Sequence, residues 1–173
     1  MNISFLALAS IFLFSATARA QAPPQWNDAL VDHMAGTWKV EGTLVGQNAH
    51  HTVTAEWVLN HQFLRIEEKT SADAPKTESH YDALWFLGYD DVSERYVLHL
   101  MDIFGGRYSE TLGYGTPDGN QIRFVFEYPD GPFHNTMRFD PEKDTWEWHL
   151  EQKDKNGKWA PFADLKLSRL APH

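Results

Sequence analysis

The sequence predicts an all-β protein, a single closed antiparallel up-and-down β-barrel of about ten strands preceded by one short N-terminal helix. Three observations predict it. From Gly36 almost to the C-terminus, apolar and polar residues alternate with the period of half-buried strands. Turn-forming clusters of Gly, Asn, Asp and Pro punctuate that alternation at even spacing. No linker, low-complexity tract or second apolar cluster divides the chain. Strands joined by hairpins fit a sandwich or a barrel, and a long meander favours closure, which leaves no unpaired edge.

Residues 1–20 stand apart. Ile3 to Phe14 is almost wholly apolar, and Ala18-Arg19-Ala20 is a small-x-small cleavage signal before Gln21. This reads as a secretory signal peptide, with the barrel domain over 21–173 and a periplasmic or secreted destination. The apolar run is shorter than the roughly 20 residues of a membrane span, so no membrane insertion is expected after cleavage. The absence of cysteine in the 173 residues leaves packing alone to hold the fold in an oxidising compartment. The chain carries 15 Lys and Arg against 24 Asp and Glu, a net charge of −9. Cleavage would remove Arg19 and no acid. Such a surface lacks the basic patch that nucleic acid or an anionic membrane requires. The 7 Trp, 6 Tyr and 11 Phe suit a barrel with a lined interior.

Pro23-Pro24 is an extended lead-in. Trp26, Leu30 and Met34 recur near helical spacing with Asn27 or Asp28 as cap, so the helix is expected over Gln25 to Met34, with Trp26 and Leu30 inward and His33 solvated at its end. Trp38, Val40 and Leu44 give strand one its inner face. Strand two runs from His51 to Leu59, with Val53, Ala55, Trp57 and Leu59 on one face. Strands three to five are expected at Phe63–Thr70, Thr77–Leu87 and Arg95–Asp102, and strand six at Arg107–Tyr114. Strands seven to ten are expected at Gln121–Tyr128, Phe133–Phe139, Thr145–Gln152 and from Trp159 or Phe162 to Leu170. Strands three, four and six carry apolar residues on both faces and leave the inward choice open.

At this point the motifs resemble a bacterial family grouped as domain of unknown function 1579. The resemblance rests on Ala35-Gly36-Thr37-Trp38, on Thr54-Ala55-Glu56 with Val58 to Arg65, on Leu87-Gly88-Tyr89-Asp90, on Tyr96 with Asp102, and on Asp154 to Trp159 leading to Arg169. It implies a lipocalin-like barrel, related in shape to fatty-acid-binding proteins and nitrobindins, and it implies no reaction. Two departures stand out: Leu100 where the family carries Trp, and Ala83 and Trp85 where small residues are usual.

Pairing Gly88 with Arg95 sets Trp85, Ala83 and Tyr81 beside Leu98, Leu100 and Asp102 on one face, and that face, apolar at its centre, is placed inside. The same patterning turns Phe124, Phe126, Asn135, Met137, Trp146 and Trp148 inward. Trp38, Trp57, Trp85 and Trp148 are then candidate walls of a ligand site, Met137 an adaptable filler, and Tyr81, Tyr96, Asp102 and Asn135 the orienting polar groups. The function expected is binding of a small, mostly hydrophobic molecule. The alternatives are a nitrobindin-like haem protein or a carboxylate-based enzyme, with Asp102 and Glu110 as its pair. No nucleophile elbow and no zinc spacing is present, so no catalytic residue, metal or cofactor is assigned. Among nine histidines none stands out as an axial ligand for a haem inside the barrel. His50 and His51 are adjacent and take opposite faces, and His149 between Trp148 and Leu150 points outward.

Overall fold

The computed structural model describes residues 22–106, 111–129 and 131–170. The expected signal peptide, and Tyr108 and Glu110, lie outside them. Ten strands follow one short helix: α1 Ala29–Asp32, β1 Gly36–Leu44, β2 Gln47–Val58, β3 Phe63–Thr70, β4 Asp82–Asp90, β5 Arg95–Asp102, β6 Gly113–Asp118, β7 Gln121–Tyr128, β8 Gly131–Asp140, β9 Thr145–Lys153 and β10 Trp159–Arg169. Every strand pairs antiparallel with its chain neighbours, and β1 pairs with β10 to close the barrel. The closed up-and-down barrel is the architecture the alternation predicts.

The helix is shorter than expected. Asp28 is its cap and accepts from the N–H groups of Leu30 and Val31 at 3.0 and 2.9 Å. Ahead of it the chain is extended, because its polar groups are used across the barrel end. The Trp26 N–H donates to the His61 carbonyl, and the Gln62 side chain donates to that of Pro24. Behind it, Met34 and Ala35 make tight three-residue turns, and Gly36 opens β1.

Gly36 has φ +126°, and a Cβ there would sit 2.7 Å from Arg169 Nη1. The guanidinium of Arg169 lies 4.0 Å over the Trp38 ring. It donates to the carbonyls of His33 and Ala35 and pairs with Asp144. The last strand is thereby tied to the helix end, to β1 and to the β8–β9 turn. Gly42 serves the bend of β1, since a Cβ there would meet the Asp164 carbonyl oxygen at 2.0 Å.

Three strand expectations need correction. Strand two, expected from His51 to Leu59, runs from Gln47 to Val58, and Leu59 is an exposed turn residue with φ +51° rather than part of the inner face. Strand four begins at Asp82 rather than Thr77, and its register on β5 is Trp85 with Leu100 and Ala83 with Asp102, two residues from the expected pairing. The cause is the turn. Asp90 pairs with Arg95, and its carboxylate accepts from the Val92 N–H, which closes a four-residue loop. A two-residue slip preserves the face, so Ala83, Trp85 and Leu98 are buried inside as expected. Strand six, expected to end at Tyr114, runs on through Pro117 to Asp118, and Gly119-Asn120 makes the hairpin.

Helix α1 stands at the barrel end formed by the β2–β3, β4–β5 and β8–β9 turns. That half is filled. Val31, Met34, Trp38, Leu64, Phe124 and Trp146 are among its buried side chains. The half towards the β1–β2 hairpin and the β3–β4 loop is hollow.

Candidate functional site

The hollow half encloses a cavity of about 590 Å³. Its wall is chiefly apolar, with Trp85 from β4, Phe126 from β7, Phe133 from β8, Trp148 and Leu150 from β9 and Leu165 from β10. The β1–β2 hairpin, the β3–β4 loop and Phe104 border it at the open end. This volume falls within the range of small-molecule sites.

The structure brings five of the nine expected site residues onto this wall: Tyr81, Trp85, Asp102, Asn135 and Trp148. The other four do not line it. Trp38 is fully buried and donates from Nε1 to the Met34 carbonyl at 2.8 Å. Trp57 packs edge-on against Trp26 and donates to Asp32. Tyr96 donates its hydroxyl to Asp28. Met137 is buried opposite Trp148 in the β8–β9 ladder. All four belong to faces or elements that turn inward; Trp57 and Tyr96 bond to α1 or its cap and Trp38 to the turn after it, while Met137 is buried level with Trp148 without lining the cavity. Alternation gives the face of a residue and not its height along the barrel.

Polar groups on the wall fall into two sets. The first is unsatisfied. Asn135 is 0 % exposed, and neither its Oδ1 nor its Nδ2 has a hydrogen-bond partner. Trp148 at 1 % and Trp85 at 3 % likewise have unpaired Nε1–H groups. Their rings lie 5.4 Å apart at 40°. A buried polar group left unpaired costs about 1–3 kcal/mol.

The second set is fully engaged and was missed by sequence reasoning. His51 points into the barrel at 2 % exposure, the inward member of the adjacent pair. Its Nδ1 lies 2.7 Å from Oε1 of Glu68, which is also 2 % exposed. On the far side of the ring, Nε2 is 3.6 Å from Glu78 Oε1. Glu78, on the β3–β4 loop, also accepts from the backbone N–H of His50 at 2.8 Å and meets its ring at 2.7 Å. Adjacent histidines on opposite faces thus reach the same carboxylate, because the loop folds over the strand end. Burial pushes Glu78 up, but the His50 hydrogen bonds outweigh it and hold its pKa below the ordinary carboxylate value. The Tyr81 ring stacks on His51 at 5.4 Å. Burial, reinforced by Glu68 and Asp102, raises the Tyr81 pKa, so the phenol stays neutral. Asp102 also closes a corner by accepting from the Phe104 N–H at 2.9 Å.

The bond to Glu68 orients the His51 ring through Nδ1 and turns Nε2 towards the Glu78 carboxylate. The signal for His51 was present in the sequence: it shares the parity of Val53 and Ala55. Glu68 shares that of Leu64 and Ile66. Of the other described histidines, His80 lies on the β3–β4 loop at the cavity mouth. His134 is buried on the outer face beneath Trp159, and His149 pairs with Asp164 outside. Among the described residues, no group of three or more His, Cys, Asp or Glu is placed to hold a metal ion, and no helix is long and apolar enough to cross a membrane.

No curated protein matches the chain. A family model described as a protein of unknown function (DUF1579) matches residues 23–169. That match runs from the lead-in before α1 to Arg169, so it takes in the whole barrel, its tied closing strand and the cavity wall, and the chain belongs to this family.

Proposed function

We propose that the protein is exported and binds a small, mostly apolar molecule in the barrel cavity. The observation that carries this reading is the hollow half of an otherwise filled barrel, with Asn135, Trp85 and Trp148 presenting unsatisfied polar atoms in its apolar wall. A packed core would fill such a space or replace such groups. A bound molecule satisfies both the space and the polar groups. The test is a titration with the neutral fluorophore N-phenyl-1-naphthylamine. Saturable binding that quenches tryptophan emission is expected. Leu100→Trp, which narrows the cavity, is expected to weaken it. A protein that binds no probe at any concentration contradicts the reading.

The His51–Glu68 pair supports a second reading, proton transfer to or from the bound molecule. The imidazole of His51, oriented by Glu68 and beside the cavity, has the chemistry of a proton-transfer group. A haem-binding site fits less well, since an iron on Nε2 would have to displace Glu78. Ring opening of 5-nitrobenzisoxazole, driven by loss of its C–H proton to a base, tests the reading. Acceleration that His51→Ala loses supports it, and a rate equal to buffer contradicts it.

A further inference from the structure

We infer that the cavity selects a neutral head group of the amide type, a carbonyl oxygen beside an N–H, and rejects the carboxylate of a fatty acid. This rests on the reading that the cavity binds a ligand, and it names the class. Two independent observations carry it, one of hydrogen bonding and one of charge.

Asn135 lacks a partner for both ends of its side-chain amide. The requirement holds whichever way the amide is flipped, because an Asn offers one acceptor and one two-proton donor in either orientation. Its complement is a group that both donates and accepts from adjacent atoms. A carboxylate only accepts, an ammonium only donates, and a hydrocarbon does neither. The indole Nε1–H groups of Trp85 and Trp148 are donors only, so they add a demand for acceptor oxygen. An amide, lactam or imide edge meets all of these demands.

The charges on the wall exclude the anionic alternative. Glu68, Glu78 and Asp102 contribute three carboxylates. Among the described residues, the one Lys or Arg on the wall is Lys153, an exposed rim residue whose ammonium lies 5.5 Å over the outer ring of Trp159. A buried ligand carboxylate would lose its hydration, find no lysine or arginine beside it and face like charges. The cationic alternative is no better served. Glu68 and Glu78 are already held by histidines, Asp102 by a backbone N–H, and the unsatisfied indoles offer protons to a group that has no lone pair.

Displacement of N-phenyl-1-naphthylamine by decanamide, decanoate and decylamine tests this, because the three differ only in the head group. Decanamide is expected to displace the probe about tenfold more tightly than decanoate or more, the factor that an uncompensated buried charge readily supplies. Asn135→Leu is expected to abolish that preference, read as the ratio of decanamide to decanoate displacement on the same variant. Trp148→Phe, which removes one donor and keeps an aromatic ring on the wall, is expected to reduce it. Decanoate or decylamine binding as tightly as decanamide overturns the class and leaves the cavity reading standing. Probe binding that decanamide does not reverse overturns the class as well. Failure of the probe itself to bind overturns the cavity reading and this inference with it.

Discussion

Asn135 and Asp144 show opposite uses of a polar side chain. Asn135 is buried with nothing to bond, so its presence costs the empty barrel stability. Asn135→Leu is therefore expected to stabilise the ligand-free protein, by about 1–2 kcal/mol in chemical denaturation, although it alters a fully buried residue. Destabilisation would mean that Asn135 is satisfied and has no ligand to wait for. Asp144 is engaged instead. Its hydrogen bond from Arg169 holds its carboxyl below the ordinary value of 3.8, with slight burial opposing. A depressed native pKa contributes stability that is present above the ordinary value and lost as the pH falls through the native one. The stability gap between wild type and Asp144→Asn is thus expected to be full at about pH 7 and to close as the pH falls below the ordinary carboxylate value of 3.8. A gap independent of pH would remove the ion pair from the account.

At the scale of elements, α1 is too short to stand on its own propensity. It depends on Asp28, one oxygen of which caps Leu30 and Val31 while the other accepts from Tyr96. Asp28→Ala is expected to cost about 1–3 kcal/mol, since the cap is lost and the Tyr96 hydroxyl loses its partner. Asp28→Asn, whose single oxygen can keep the cap while its amide nitrogen can only donate towards the Tyr96 oxygen, is expected to recover part of that loss in thermal unfolding. Elements were legible where period and turn chemistry agreed. Strands β3, β5 and β7 lie within the boundaries that alternation predicts. The helix was over-read because Trp26, Leu30 and Met34 have helical spacing, while the Trp26 N–H is committed to a turn 35 positions away at His61. The β4–β5 register was misread because the length of a turn depends on which side chain closes it, here Asp90.

For the whole molecule, one barrel is divided into a filled half beneath α1 and a hollow half at the other end. Period-two alternation identifies what faces inward, and it did so for Trp38, Met137, Trp85 and Trp148 alike. It carries no information on which end of the barrel each reaches, because that depends on where β2, β5, β8 and β9 start relative to one another around a closed sheet. Hence Trp38, Trp57, Tyr96 and Met137 were grouped with a cavity from which the fold separates them. His51 and Glu68 went unseen because each was judged against its sequence neighbour, His50 or Glu67, rather than against the inward parity of its own strand. The central claim is that the hollow half holds a small, neutral, mostly apolar molecule. The most direct test is native mass spectrometry of the protein isolated from its own cells, followed by extraction and identification of whatever adds to its mass. The account predicts a defined adduct small enough for about 590 Å³, bearing a carbonyl and an N–H. An adduct with the mass of haem, or a bare chain that also binds no neutral probe when one is supplied, would contradict it.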